Sequence, residues 1–105
     1  MRIIFALFVL AASTVAAQAQ NRWVTVENVT GVTMREFYAS NRDQRTWGND
    51  WFGPSFMLSS GRSIDFNIDD GSGYCIYDLK AVFVDGDEVT SMGFNVCELG
   101  TWRIR

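Results

Sequence analysis

Two cysteines, Cys75 and Cys97, constrain this chain more than any other feature, because they stand either side of Asp85-Gly86. Asp-Gly between two runs of alternating hydrophobicity is a hairpin signal, since glycine tolerates the positive φ that a turn matched to strand twist demands. Cys75 lies ten residues before Asp85 and Cys97 eleven after Gly86. On a hairpin they therefore fall nearly opposite one another on adjacent strands, or offset by one bulge. A bridge between two sheets meets the same spacing. With only two cysteines there is one intramolecular pairing. Closing a loop of that size contributes about 3 kcal/mol by the loop-entropy argument, a large share of the ~5–15 kcal/mol that holds a small domain together.

A structural disulfide persists where the surroundings are oxidising, and the N-terminus reads the same way. Met1-Arg2 supplies a positive charge, residues 3–10 are unbroken apolar sequence, and residues 11–19 are small and weakly polar. Those are the regions of a secretory signal peptide in order. Ala17-Gln18-Ala19 suits the peptidase, which assigns 1–19 to the signal and 20–105 to a single mature domain; cleavage after Ala17 fits nearly as well. The apolar run is short of the ~20 residues that a retained membrane span needs. The expectation is a periplasmic or secreted protein with no membrane span after cleavage.

Removing Arg2 leaves eight basic against twelve acidic side chains, a formal charge of −4. Nucleic acid and anionic membrane surfaces select for basic patches, so neither is an expected partner. The mature segment alternates with period two: Val24 and Val26 share a face, as do Ile64, Phe66 and Ile68. Cys75, Tyr77, Leu79, Ala81 and Phe83 line one side of a long strand whose other side (Ile76, Asp78, Lys80, Val82, Val84) is mixed, which suggests cover at its far end. About seven strands are expected, over 23–29, 33–39, 55–58, 63–68, 74–84, 88–96 and 101–105. Turn signals separate them, with Ser59-Ser-Gly-Arg62 read as a tight hairpin. A single helical turn over 34–38 or 40–44 fits the sequence too. The fold class is all-β, a small antiparallel β-sandwich of Ig-like or C2-like kind, with a small barrel as the alternative.

The chain contains no histidine, which removes Ser-His-Asp and Cys-His catalysis and histidine-ligated metal or haem. There is no Gly-rich phosphate loop. A carboxylate pair is the one catalytic device left, and 86 residues leave little room for a cleft around it. No catalytic residue is assigned. Asp69, Asp70, Asp85, Asp87 and Glu88 supply the hard oxygens that calcium prefers, although turn-forming and solvent-facing roles explain them equally. Otherwise no cofactor is expected.

The segment 41–54 is a long connection without regular periodicity, and connections of that length are commonly functional or self-packed. It concentrates Trp47, Trp51 and Phe52 with Arg42 and Arg45. Tryptophan and arginine together are residue types that anchor interfaces, and flat indole faces beside polar groups suit sugar rings. Arg45, Trp47, Trp51 and Phe52 are therefore the candidate binding residues. Trp47 is expected to fold back as a lid over an open end of the sandwich. Asn28-Val-Thr30 is a formal N-glycosylation sequon.

Asn28-Val-Thr-Gly31, Trp47-Gly-x-Asp50, Gly53, Gly61, Cys75-x-Tyr-Asp-Leu79, Asp85-Gly86 and Cys97 occur in that order. In this spacing the chain resembles a family of small exported bacterial β-proteins of unassigned function. The resemblance spans most of the mature segment and implies a bacterial source, hence a periplasmic or secreted location. Trp51 and Phe52 stand where the family pattern is simpler, which points to local specialisation. The expected function is a non-catalytic envelope protein that binds a protein or glycan partner through residues 47–52. A calcium-dependent structural or adhesion domain is the alternative, and a small carboxylate hydrolase comes third.

Overall fold

The computed structural model describes residues 21–105; the expected signal peptide falls outside the described residues. Six strands form among them: β1 Trp23–Asn28, β2 Met34–Asn41, β3 Arg62–Asn67, β4 Ile76–Phe83, β5 Glu88–Asn95 and β6 Thr101–Ile104. They make two three-stranded sheets, ordered β3-β1-β6 and β2-β4-β5. All pairings among these strands are antiparallel except β1 with β6. The described residues contain no helix, and the sheets do not close into a barrel.

The two sheets enclose one apolar core. Val24 and Val26 of β1 and Trp102 and Ile104 of β6 face Phe37 of β2 and Tyr77, Leu79, Ala81 and Phe83 of β4. Phe37 sits at the junction, with its ring centroid 5.5 Å from Phe66 and 6.2 Å from Trp102. The period-two reading of these strands therefore holds. On the outer side of β4, Val82 is covered while Val84, just past the strand, is exposed.

Three expectations need correction. The seventh strand, 55–58, shrinks to one bridge, Leu58 opposite Met34. The Ser59–Arg62 turn does form, with Arg62 N–H donating to Ser59 O at 3.2 Å. Its arms belong to different sheets, however, so it carries the chain across the core edge and is not a hairpin. The helical turn over 34–38 is also absent, because Met34–Asn41 is strand throughout; over 40–44 the strand end runs into one hydrogen-bonded turn, Gln44 N–H donating to Asn41 O at 3.0 Å, without forming a helix. The inward side chains of β2, Met34 and Phe37, bury more apolar surface in a sheet facing the core than one isolated turn could.

The Asp85-Gly86 hairpin joins β4 to β5 as expected. Gly86 has φ of 95°, and Phe83 N–H donates to Asp87 O at 2.9 Å. Cys75 and Cys97 are bonded across the far end of that hairpin, with Cα atoms 5.3 Å apart. Val96 N–H donates to Cys75 O at 2.9 Å beside the bond, so the disulfide lies within one sheet. The ladder slips by one residue between Tyr77 and Leu79. Gly93 (φ 75°) takes up the slip and donates its N–H to Asp78 Oδ1 at 2.9 Å. This bulge is the offset that the cysteine spacing left open.

Candidate functional site

Residues 42–61 connect β2 to β3, and their 42–57 part wraps the free edge of β2. An edge strand exposes backbone N–H and C=O groups that invite unwanted pairing. Here the loop supplies the missing partner: Asp50 Oδ1 accepts the Phe37 N–H at 2.9 Å, and Trp51 N–H donates to Phe37 O at 2.7 Å. The same Asp50 oxygen accepts the Phe52 N–H at 2.9 Å. One carboxylate thus stands in for a strand and fixes the direction of the two residues after it.

That anchoring sends neighbouring rings to different places. Phe52 enters the core, 7% exposed, 6.2 Å from Phe37 and 5.9 Å from Phe66. It is not available as a contact ring, contrary to its place among the binding candidates. Trp51 stays 39% exposed and leans on Phe66 at 5.6 Å. Trp47 does not cap an end of the core; it lies on the outer face of β2-β4-β5. There Lys80, the chain's one lysine, places its ammonium 5.1 Å from both the Trp47 and Tyr38 ring centroids. Each such contact contributes ~0.5–1 kcal/mol near a surface. Glu88 Oε1 stands 3.9 Å from the same ammonium. Tyr38 donates to Glu36 Oε1 at 2.6 Å, and that bond, with burial and the Glu36 and Asp50 charges, pushes its hydroxyl up to about 12.

Trp47 and Gln44 both border two depressions. In one, a hollow of about 200 Å³, they are joined by Arg45, Thr46, Asp78 and Met92. The other is an open cleft of about 220 Å³ that Trp47 and Trp51 share. Ala39 and Ile68 are also among its lining residues, with Gln44, Asn49 and Asp70 as its polar side chains. The structure therefore brings Trp47 and Trp51 together, leaves Arg45 in the other hollow, and removes Phe52. Gln44 and Asn49 were missed by sequence reasoning, as was the convergence of Asp70 on the loop.

Asp70 belongs to a hydrogen-bonded knot at this end of the molecule. Its Oδ1 accepts from Tyr77 Oη at 2.9 Å and Ser72 N–H at 3.0 Å, and its Oδ2 from Asn41 Nδ2 at 2.8 Å. Partial burial works against ionisation, but the hydrogen bonds from Ser72, Asn41 and Tyr77 outweigh it and hold the carboxyl down at about 2. Burial first, then the bond to Asp70, raises the Tyr77 hydroxyl. Arg22 braces the loop by donating to the Tyr74 and Gly73 carbonyls at 2.7 and 2.9 Å.

The calcium candidates are split between the two ends of β4. Asp69 and Asp70 precede it, whereas Asp85, Asp87 and Glu88 follow it, with eight residues or about 25 Å of strand between. Asp69 Oδ1 closes its own turn on Gly71 N–H at 3.0 Å, and Asp85 Oδ1 does so on Asp87 N–H at 3.0 Å. Arg105 shares the rim of the hollow that Asp85 and Asp87 line. Among the described residues, no three Asp, Glu, Cys or His side chains converge as a metal site would require.

The chain matches no family model, no curated protein and no solved structure. No helix among the described residues is long and apolar enough to cross a membrane. The class of the protein therefore rests on its own residues: an all-β, disulfide-closed domain of two three-stranded sheets.

Proposed function

We propose that this chain is an exported, non-catalytic interaction module of the bacterial cell envelope, and that it engages its partner through the Trp47–Trp51 cleft. The disulfide and the leader-like N-terminal sequence support export. In architecture we read the paired sheets as a small open β-sandwich of Ig-like or C2-like kind, whose loops and outer faces present the binding groups.

One observation carries the binding assignment. The 42–57 loop is anchored by Asp50 and Phe52, yet it leaves Trp51 39% exposed beside a second indole in a common cleft. A loop needed only to shield the β2 edge and fill the core would be served by Asp50 and Phe52 alone. Partly exposed tryptophan on a rigid support is a favoured interface anchor.

The test is capture from envelope extract with oxidised protein spanning 20–105, beside a Trp51→Ala variant confirmed to fold. Retention by the parent and loss by the variant is the expected result. Equal capture by both, or none by either, refutes the assignment of the cleft.

A further inference from the structure

We propose, resting on the assignment of the cleft as the binding site, that its occupant is an uncharged saccharide. The cleft combines two indoles with two side-chain amides and one carboxylate. Sugar rings present an apolar C–H face and a polar hydroxyl edge, so they match an aromatic wall beside mixed donors and acceptors. An amide offers both a donor pair and an acceptor, and a carboxylate accepts only. Hydroxyl groups, being donor and acceptor at once, satisfy either.

The two side-chain amides have capacity to spare. Among the described residues, the side-chain amides of Gln44 and Asn49 make no hydrogen bond within the fold, and both residues are exposed. Asp70 accepts three hydrogen bonds from Tyr77, Ser72 and Asn41. The Ser72 hydroxyl bonds the same carboxylate, so its roughly four acceptor directions are taken up within the fold and the amides of Gln44 and Asn49 are the groups left to meet sugar hydroxyls.

Charge selects within the class. Among the described residues, Asp70 is the one charged group lining the cleft, and its neighbours stabilise the anion. A uronate, sialate or phosphate group would meet that charge with nothing cationic in the described lining to offset it. Arg45, the nearest basic candidate in sequence, lines the other hollow instead. The volume of about 220 Å³ lies below the ~300–1,000 Å³ of pockets that enclose drug-sized ligands. It suits one ring of a chain, with the remainder in solvent.

The four tryptophans make the test internal to one spectrum. Isotope-labelled, oxidised protein spanning 20–105 is titrated with neutral N-acetylglucosamine oligomers, cello-oligosaccharides and malto-oligosaccharides, and separately with an oligogalacturonate. The expected result is that at least one neutral series shifts the indole N–H signals of Trp47 and Trp51 while those of Trp23 and Trp102 stay fixed. The oligogalacturonate should shift none. Asn49→Ala, at an exposed side chain without a partner, should weaken binding without changing the rest of the spectrum. Trp51→Ala should weaken it by about tenfold or more, as loss of a stacking face implies.

If no neutral saccharide shifts Trp47 or Trp51 at tens of millimolar while envelope capture still depends on Trp51, the saccharide assignment is wrong and the cleft binds a protein. If capture is also independent of Trp51, the cleft assignment itself falls. A shift confined to Trp23 or Trp102 overturns the site.

Discussion

Asn28 offers the sharpest test of how this fold is held, because a fully buried side chain there makes every hydrogen bond an amide can make on both its ends. Its Nδ2 donates to Val32 O at 2.8 Å and Leu58 O at 2.9 Å. Its Oδ1 accepts the Thr30 N–H at 3.1 Å and the Thr30 hydroxyl at 2.8 Å. These bonds tie the end of β1 to the turn before β2 and to the Leu58 bridge. Asn28→Ala removes all four, but the loss is softened in two places. Leu58 O keeps the Met34 N–H at 2.9 Å, and Val32 O keeps the Thr30 hydroxyl at 3.1 Å. At ~1–3 kcal/mol for each buried group left wanting, and with Thr30 N–H the main orphan, we expect a cost of about 2–4 kcal/mol. Asn28→Asp keeps size and the Oδ1 acceptor yet points a second oxygen at two carbonyls. That carboxyl would have its pKa raised in the folded state, so the variant should regain stability as pH falls, opposite to an ordinary paired aspartate. The assay is urea unfolding of oxidised protein at pH 7 and pH 4, followed by tryptophan fluorescence. A cost below ~1 kcal/mol for alanine, or parental stability of the aspartate variant at pH 7, would refute the reasoning. The same geometry makes the sequon unusable once folded, since both amide hydrogens point inward.

Asp50→Ala should cost about 2–4 kcal/mol by orphaning the Phe37 and Phe52 N–H groups, with Asp50→Asn milder; urea melts and faster hydrogen exchange at Phe37 would report it. Phe52→Ala should cost ~3–5 kcal/mol as a core truncation, and Trp51→Ala clearly less, so equal costs in denaturation would contradict their separation into core and cleft. Asp70, with its folded pKa at about 2 and an unfolded value of ~3.9, contributes stability above pH ~4 that is lost as pH falls toward 2. Melting temperatures of the parent should therefore drop more steeply over that interval than those of Asp70→Asn; parallel curves would count against the knot. Reducing Cys75–Cys97, or replacing both by serine, should lower stability by about 3 kcal/mol, and an unchanged urea midpoint would show the β4–β5 hairpin closing without it.

The strands were readable because alternation reports which side chains face the core. Val24, Val26, Tyr77, Leu79 and Phe83 needed no further information, and the Asp85-Gly86 turn then fixed the β4–β5 pairing. Residues 55–58 failed because Phe56 and Met57 are apolar without being buried, so composition mimicked a strand that backbone pairing does not complete. The same ambiguity blurred 47–52: indoles and phenyl rings read alike in sequence, and only the Asp50 bonds decide that Phe52 turns inward and Trp51 outward.

Polar residues were the least legible, since periodicity says whether one faces out, never which backbone group it replaces. Asn28, Asp50 and Asp78 stand within the strings Asn28-Val-Thr-Gly31, Trp47-Gly-x-Asp50 and Cys75-x-Tyr-Asp-Leu79, and each satisfies backbone groups that no strand reaches. Tyr77 in the same strings is a core ring tied to Asp70. Strings of this kind look like a functional signature, yet their polar atoms are spent on the fold. Gln44, Asn49 and the open face of Trp51 are not spent, and they meet in one cleft. A fold that uses its conspicuous polar residues internally leaves recognition to the inconspicuous ones, so function here is best sought by substituting residues whose loss should leave stability nearly unchanged.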